Sequence, residues 1–396
     1  MDRSAAEVDR SVDRDHILAL DGLRGVAILM VLVCHFQSNL KISGGGWSSI
    51  PVQIAHAGWA GVDLFFVLSG FLITGILVDA RGSNSYFKAF YVRRALRILP
   101  AYYGFLFAIF VLLPLLNLGA GDNYMLARQH QAWYWLHLTN VMMAIGEIPG
   151  RGPYPNTLFW SLAVEEQFYF LWPAIVALCS VGTLRKVCIG GMILCAMLRI
   201  AGALTGVSGL TLSVLPTTRG DTLFVGGLLA IEYRRGGLER FGRIAGMAAG
   251  VAALALVILL AYYGQLDYHD AGMAMFGSIA IMILGAAALV AATTPGRSRV
   301  AGWLRSGALR FFGRYSYALY IVHTAVLAGL NHYRPFASLS PIVGSVLATR
   351  VMWVIAYVGI STGIAVASWH LVEKHFLRLK RYFPYRPDRT VAALAR

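Results

Sequence analysis

Charged side chains are scarce in this sequence. They account for 13% of its 396 residues, whereas hydrophobic residues account for 58%. Soluble domains carry about 25% charged residues, so a water-soluble globule of this size would lack the polar surface that it needs. The composition therefore excludes an ordinary soluble protein and predicts a chain embedded in a lipid bilayer.

Cysteine is also scarce, and its spacing excludes two kinds of site. None of the cysteines belongs to a CxxC pair, and all of them lie in or beside apolar segments. The pattern supports neither a disulfide framework nor a zinc site, so we expect no bound metal. We interpret these residues as buried apolar side chains: Cys34, Cys179, Cys188 and Cys195.

Acidic residues are few beside the basic ones, and the net charge is +15. Such a balance is typical of proteins that bind nucleic acids. Here, however, the arginines and lysines lie in short segments between apolar runs, as the topology signals of membrane proteins do. We therefore expect no nucleic-acid partner.

Apolar runs of about 20 residues, long enough to cross a bilayer, recur along the chain. They predict an all-α integral membrane protein, a bundle of about ten transmembrane helices. The predicted spans are 17–38, 57–79, 95–117, 158–180, 187–206, 217–233, 243–264, 273–293, 311–330 and 345–371. A shorter apolar segment, 133–145, is interpreted as interfacial or re-entrant.

The basic residues predict the orientation of these spans. If both termini are cytoplasmic, nearly all arginines and lysines outside the spans fall on the cytoplasmic side, as the positive-inside rule requires. The predicted organisation is a cytoplasmic N-terminal segment at 1–16, a transmembrane domain at 17–371 and a basic cytoplasmic tail at 372–396. The sequence shows no internal repeat, low-complexity tract or second soluble domain.

Ionisable side chains are costly inside lipid and usually mark a functional site. His35, Asp63, Glu165 and Asp221 are predicted to lie in the outer half of the bundle, with His323 beneath them. A histidine beside a carboxylate can remove the proton of a hydroxyl, so His35, Glu165 and Asp63 are the candidate catalytic residues. The neighbouring residues with candidate supporting roles are Trp160, Ser161, Asp221, Ser316, Tyr320 and His323.

Arginines gather at the predicted cytoplasmic ends of three helices. The planar guanidinium group suits phosphate, so these residues could bind a phosphate-bearing substrate. The alternative is that they only orient the helices, which explains Arg97 less well because it lies inside the third predicted span. The candidate phosphate-binding residues are Arg24, Arg94, Arg97 and Arg314.

Six segments, spread from the first predicted helix to the ninth, together resemble the acyltransferase 3 family, the bacterial integral-membrane O-acyltransferases. The segments are LDGLRGVAILMVLVCHF, GVDLFFVLSGFLI, FYVRRALRILPAYY, FWSLAVEEQFYFLWP, GDTLFVGGLLA and GRYSYALYIVH. The resemblance implies ten spans in the bacterial inner membrane, a cytoplasmic acyl-CoA donor (acetyl-CoA most often) and an external glycan acceptor. The motif positions that it carries over are Arg24 and His35, Arg94 and Arg97, Trp160, Ser161 and Glu165. Family members are also similar at Asp63 and His323.

The resulting hypothesis is a membrane O-acyltransferase. Acyl-CoA serves as a co-substrate, no cofactor is permanently bound, and the acceptor is a glycan or glycolipid hydroxyl. General-base catalysis by His35 and a covalent acyl-histidine relay both remain open, and a homo-oligomer is compatible with the sequence. The alternative is a proton-coupled transporter of a glycan precursor or small anion, since buried acids and histidines also form proton relays. An inverted repeat would favour the transporter, and none is visible.

Overall fold

In the computed structural model of the protein, the described residues are 18–39, 50–118, 122–146, 158–268, 270–294, 299–333 and 345–385. The predicted cytoplasmic segment 1–16 and the end of the predicted tail lie outside these ranges. The described chain is helical throughout and contains no β-strand.

Ten long helices form the described part of the bundle. They are α1 (Leu18–Asn39), α2 (Gly61–Asp79), α3 (Tyr86–Phe107), α4 (Phe159–Leu178), α5 (Val181–Leu204), α6 (Asp221–Arg234), α7 (Gly242–Tyr263), α8 (Ser278–Thr293), α9 (Gly307–Tyr333) and α10 (Val346–Ser368). Each of them overlaps one of the predicted spans.

Short helices extend or connect the long ones. Three single-turn π-helices continue α3, precede α8 and continue α10, at Ala108–Leu112, Met273–Gly277 and Trp369–Glu373. The other short segments are Ile50–His56, Ala57–Ala60, Leu113–Leu115, Asp122–Gln129, Gln131–Trp135, Thr139–Ala144, Gly209–Val214, Pro216–Arg219, Glu239–Phe241, Arg299–Leu304, Lys374–Arg378 and Leu379–Tyr382. The segment interpreted as interfacial or re-entrant, 133–145, thus folds as two short helices joined by a turn.

Seven helical segments among the described residues are long and apolar enough to cross a membrane. They are Leu18–Gln37, Val52–Asp79, Tyr86–Leu115, Val181–Leu204, Glu239–Tyr263, Met273–Thr293 and Ala348–Tyr382. The all-helical, multi-pass class is therefore confirmed, whereas ten spans and cytoplasmic termini stay predictions. Of the helices outside this set, α6 has only 14 residues, and α4 carries adjacent glutamates in its first half.

Glycines allow the backbones of α2 and α6 to touch. A Cβ atom built on Gly70 would lie 2.0 Å from the carbonyl oxygen of Leu223, and one on Gly226 would lie 2.1 Å from that of Val67. Small residues at such crossings let membrane helices approach closely, and van der Waals contact then holds them together. The α2–α6 contact is therefore reciprocal and leaves no room for a side chain on either glycine.

We expect Gly226→Val to lower the stability of the folded protein, because the new side chain must push α6 away from α2. Overpacking of this kind costs about 1–3 kcal/mol or more. The thermal unfolding midpoint of the purified protein in detergent measures the effect. Gly246→Val in α7 is the matched control, since nothing lies within 4 Å of a Cβ atom at that position. Equal midpoints for the two variants would contradict the close α2–α6 contact.

The largest buried cluster lies where α1 to α4, α9 and α10 meet. It also takes in buried side chains of the short helices that follow α3, such as Tyr134 and Met142. Among the fully buried large side chains here are Ile28 of α1, Tyr102 of α3 and Tyr357 of α10. The candidate site lies inside this group of helices.

Candidate active site

A cavity of about 100 Å³ lies between α1, α2, α3, α4 and α9. Its wall combines the aromatic and aliphatic side chains of a membrane bundle with a group of charged and hydroxyl-bearing residues. These polar residues are Arg24, Ser69, Arg94, Arg97, Ser161, Glu165, Tyr169, Ser316, Tyr317 and Tyr320. Most of the site residues predicted from the sequence therefore share one cavity, although they come from four different helices.

The arginine part of the wall carries an excess of positive charge. Three guanidinium groups line the cavity, those of Arg24, Arg94 and Arg97, against the single carboxylate of Glu165. The Arg94 guanidinium also lies over the ring of Tyr169, 5.8 Å from its centroid. Because like charges inside a membrane protein repel strongly, such a group is suited to an anionic ligand that compensates them.

The Glu165 carboxylate has two hydroxyl groups as neighbours. The hydroxyls of Ser69 and Tyr169 are hydrogen-bonded to each other and lie against this carboxylate. Ser161, Glu165 and Tyr169 are spaced by four residues, which places all three on one face of α4. Ser69 was missed by the sequence analysis, since a lone serine in an apolar helix carries no signal of its own.

A hydroxyl pair leads away from the arginines. The Ser161 Oγ lies 2.6 Å from the Tyr320 hydroxyl, and both lie within hydrogen-bond distance of the Leu158 carbonyl oxygen. Beyond it the ring of Tyr320 lies 5.9 Å from that of His323, whose ring lies 5.3 Å from that of His35. His35 is thus separated from the wall residue Tyr320 by the ring of His323.

The two histidines present unprotonated nitrogens to their surroundings. The Nδ1 of His35 lies 2.8 Å from the Val31 carbonyl oxygen, and that of His323 lies 2.9 Å from the Leu319 carbonyl oxygen. A carbonyl oxygen only accepts, so each Nδ1 carries the hydrogen and, in the neutral ring, each Nε2 is a base. Within the described residues, the buried Nε2 of His323 has no hydrogen-bond partner. The pair is therefore chemically suited to receive a proton from a hydroxyl.

Asp63 and Asp221, predicted to act near His35, lie in buried ion pairs. Asp63 Oδ2 is 2.6 Å from Nη2 of Arg219, and Asp221 Oδ2 is 2.7 Å from Nη2 of Arg199. All four side chains are at most 3% exposed. Neither arginine was among the candidate residues, although the position of Arg199 inside an apolar run was a usable signal.

Three remaining predicted residues lie around the cavity. Ser316 is part of the wall, and Trp160 packs edge-to-face on Phe66, with ring centroids 6.1 Å apart. Arg314 is exposed, and its guanidinium lies 5.1 Å from the ring centroid of Trp369. No cluster of three or more histidine, cysteine, aspartate or glutamate side chains suited to a metal ion occurs in the described ranges.

The helices that form the cavity lie within the range that matches a known protein family. The model of a family described as "Acyltransferase domain" matches residues 17–370. The chain belongs to this family. The resemblance to the acyltransferase 3 family that the motifs indicated is therefore confirmed, and the match extends over nearly all of the described bundle.

Individual acyltransferase relatives match shorter stretches. A Bacillus subtilis protein, "Putative peptidoglycan O-acetyltransferase YrhL", is 39% identical over 166 residues, 40% of this chain and 23% of the relative. "Peptidoglycan O-acetyltransferase OatA" of Listeria monocytogenes is 32% identical over 41% of this chain and 24% of its own length. "Putative O-acetyltransferase SACOL0978" of Staphylococcus aureus is 24% identical over 80% of this chain and 52% of its own length.

The chain thus spans at most about half the length of these curated relatives. No solved structure matches it. Family membership identifies an acyltransferase domain, and its long apolar helices indicate that this domain is embedded in a membrane.

Proposed function

We propose that this acyltransferase moves an acyl group, acetyl in the first instance, from cytoplasmic acyl-CoA to a hydroxyl of an extracytoplasmic glycan or glycoconjugate. The observation that carries the proposal is the difference in chemistry between the two ends of the site. A cavity with an excess of arginine lies at one end, and a pair of basic histidine nitrogens lies at the other, with Ser161 and Tyr320 between them. A bacterial inner membrane supplies the two compartments that such a transfer needs.

The arginine end is suited to the donor. Coenzyme A carries phosphate groups, and charge-assisted hydrogen bonds from guanidinium to phosphate are among the stronger ones in proteins. A volume of about 100 Å³ admits only a few water-sized groups. Most of coenzyme A therefore stays outside. We infer that its phosphates meet the arginine end of the cavity, together with Arg314 on the neighbouring surface, and that the thioester reaches inward toward Ser161 and Tyr320.

The histidine end is suited to the acceptor. The acceptor hydroxyl gives its proton to Nε2 of His35, and its oxygen forms a bond to the thioester carbonyl carbon as the carbon–sulfur bond breaks. The departing thiolate of coenzyme A takes up the proton, so that the histidine returns to its neutral form. General-base transfer of this type contributes about 10²–10⁴-fold to the rate of an enzyme.

The test is acetyl-CoA turnover by the purified protein in nanodiscs, with total cell-envelope glycan as acceptor. Release of coenzyme A that depends on added glycan is the expected result. Movement of labelled glycan across the bilayer without acetylation would point to the transporter instead. Absence of both acetyl-CoA binding and turnover in folded protein would overturn the proposal.

We expect Arg97→Ala to weaken acetyl-CoA binding by about 10–100-fold, because one hydrogen bond to a charged group is worth about 1.5–3 kcal/mol. Isothermal titration with acetyl-CoA measures the change. Arg243→Ala, which removes an exposed arginine at the start of α7, is the matched control. Unchanged affinity in a folded Arg97→Ala protein would remove this arginine from donor binding.

A further inference from the structure

A second, larger cavity lies on the neighbouring side of α4. It has a volume of about 500 Å³ and is formed by α3, α4 and the turn between the short helices Gln131–Trp135 and Thr139–Ala144. We call it the lateral groove, and its residues are Phe90, Tyr91, Arg94, Ala95, Leu99, Leu136, His137, Leu138, Glu166, Gln167, Tyr169, Phe170 and Leu171. The proposed transfer reaction does not account for most of them.

The rim of the lateral groove faces the hydrocarbon region of the bilayer. Phe170 is 71% exposed, Leu136 is 66% exposed and Leu171 is 60% exposed. Large apolar side chains with this exposure, on a helix inside a membrane bundle, are in contact with lipid chains. The groove therefore opens sideways into the membrane, and an aliphatic chain can enter it without crossing water.

The floor of the lateral groove is polar, which is unusual for a surface that faces lipid. Arg94, His137 and Glu166 all line it. Ionisable groups at such a depth are expensive and mark substrate paths or binding sites. An aliphatic chain alone would leave these ionisable groups without polar partners, so the occupant carries a polar head group.

The turn that supplies His137 is held in place rather than flexible. Gln167 and Asn140 exchange two amide hydrogen bonds of 3.0 Å, and Gln167 also donates to the His137 carbonyl oxygen. The His137 ring stacks on Tyr102 with centroids 4.2 Å apart, although its backbone has a φ of +53°. Non-glycine residues adopt this conformation at a cost that surrounding contacts must offset. In the described residues, the buried Nε2 of His137 lacks a hydrogen-bond partner.

The charges on the floor select the type of head group. Arg94 contributes one positive charge, Glu166 one negative charge, and a neutral His137 none, so the floor has no net charge. A phosphate would gain from Arg94 but would be repelled by Glu166 and by the adjacent Glu165. A hydroxyl both donates and accepts, so it can donate to the Glu166 carboxylate while another hydroxyl pairs with His137.

The lateral groove adjoins the cavity of the candidate active site. Arg94 and Tyr169 line both of them, and the Arg94 guanidinium lies over the Tyr169 ring. These two side chains form the partition between the spaces. A polar head on the floor of the groove is therefore separated from the proposed donor site by two side chains only.

From this geometry we infer that the lateral groove first binds the acceptor as a lipid-anchored sugar taken from the bilayer, and that a hydroxyl of its head group then passes Arg94 and Tyr169 to reach the histidine end of the site. In the groove, the aliphatic chain of this acceptor lies along Phe170 and Leu171, and its hydroxyl-bearing head lies against Glu166 and His137. This assignment rests on the proposed function for its catalytic role. It adds that the acceptor is membrane-anchored rather than water-soluble. Binding to the groove itself can be measured without any acyl transfer.

The experiment uses an alkyl glucoside with a photoreactive diazirine in its chain, added to the full-length protein in nanodiscs. After irradiation, mass spectrometry identifies the labelled peptides. The expected result is labelling of the peptides that contain Tyr91–Leu99 and Glu166–Leu171. An excess of unlabelled alkyl glucoside should compete, whereas an alkyl phosphocholine of equal chain length should compete at least tenfold less well.

Three variants test the floor and the rim separately. Glu166→Ala and His137→Asn should each reduce labelling about tenfold, since each removes a partner of the sugar, and asparagine tolerates a positive φ. Ala95→Phe should block labelling by filling the groove while leaving the polar floor in place. Glu239→Gln, at an exposed site remote from the groove, is the matched control and should label like the native protein.

The outcomes distinguish failure of this inference from failure of the proposed function. Labelling elsewhere, or equal competition by the phosphocholine, overturns the sugar site even if acetyl-CoA turnover proceeds normally. Equal labelling of all variants overturns it as well. Groove labelling with the expected competition, in a protein that neither binds nor turns over acetyl-CoA, would keep the sugar site and reject the acyl transfer.

Discussion

Replacing His35 with alanine is expected to reduce acyl transfer by about 10²–10⁴-fold, the range that general-base catalysis contributes. The reason is the tautomer that the backbone imposes. The Val31 carbonyl oxygen fixes the hydrogen on Nδ1, which leaves Nε2 as the base. Coenzyme A release with saturating glycan measures the rate, and acetyl-CoA binding by the same protein reports whether the arginine end is intact.

His323→Gln separates the two members of the histidine pair. If His323 only orients His35, this variant should lose less activity than His35→Ala and should shift the pH dependence of kcat, because His35 no longer faces a second titratable ring, whose centroid lies 5.3 Å away. Glutamine keeps a polar side chain of similar length in a completely buried position. Full activity of a folded His35→Ala protein would exclude His35 as the base, and an equally severe His323→Gln defect would assign the proton transfer to both rings together.

Local sequence patterns were sufficient to predict the helices and much of the cavity. Apolar runs locate the long helices because a bilayer demands about 20 apolar residues for each crossing. Spacings of four in α4 place Ser161, Glu165 and Tyr169 on one face, and that face lines the cavity. Such relations lie within one helix and follow from its geometry alone.

Contacts between residues of different helices could not be predicted from such patterns. Whether Asp63 faces a histidine or an arginine depends on how α2 packs against the segment that carries Arg219, and no pattern within either segment encodes that packing. The same holds for the lateral groove, in which Glu166 of α4 meets the turn at His137. The sequence identified the ionisable residues as unusual, but tertiary contacts select their partners.

Helix α4 lines both the arginine-rich cavity and the lateral groove, and its geometry explains how. Glu165 and Glu166 are adjacent in sequence, so they point about 100° apart around the helix axis. The first lines the arginine-rich cavity and the second lines the lateral groove. The paired glutamates that make α4 a poor apolar span are thus the residues that connect it to both candidate binding sites.

Removing one partner of the Asp63–Arg219 ion pair should cost about 3–5 kcal/mol of stability, because the remaining charge is buried and uncompensated. Asp63→Asn and Arg219→Met should both lower the thermal unfolding midpoint in detergent strongly. The double variant should recover most of the loss, since two neutral side chains leave no unpaired charge. Asp79→Ala is the control, because its partner Arg234 and Asp79 itself are 27% and 39% exposed, and such pairs contribute about 0–1 kcal/mol.

The same variants determine whether Asp63 is a catalytic or a structural residue. If it only stabilises the bundle through Arg219, the double variant should regain acyl transfer together with stability. If Asp63 acts on the acceptor or on His35, activity should stay lost in the double variant although the unfolding midpoint returns. The 2.6 Å contact with Arg219 favours the first result, because a carboxylate that is already paired and almost completely buried is poorly placed to orient a histidine.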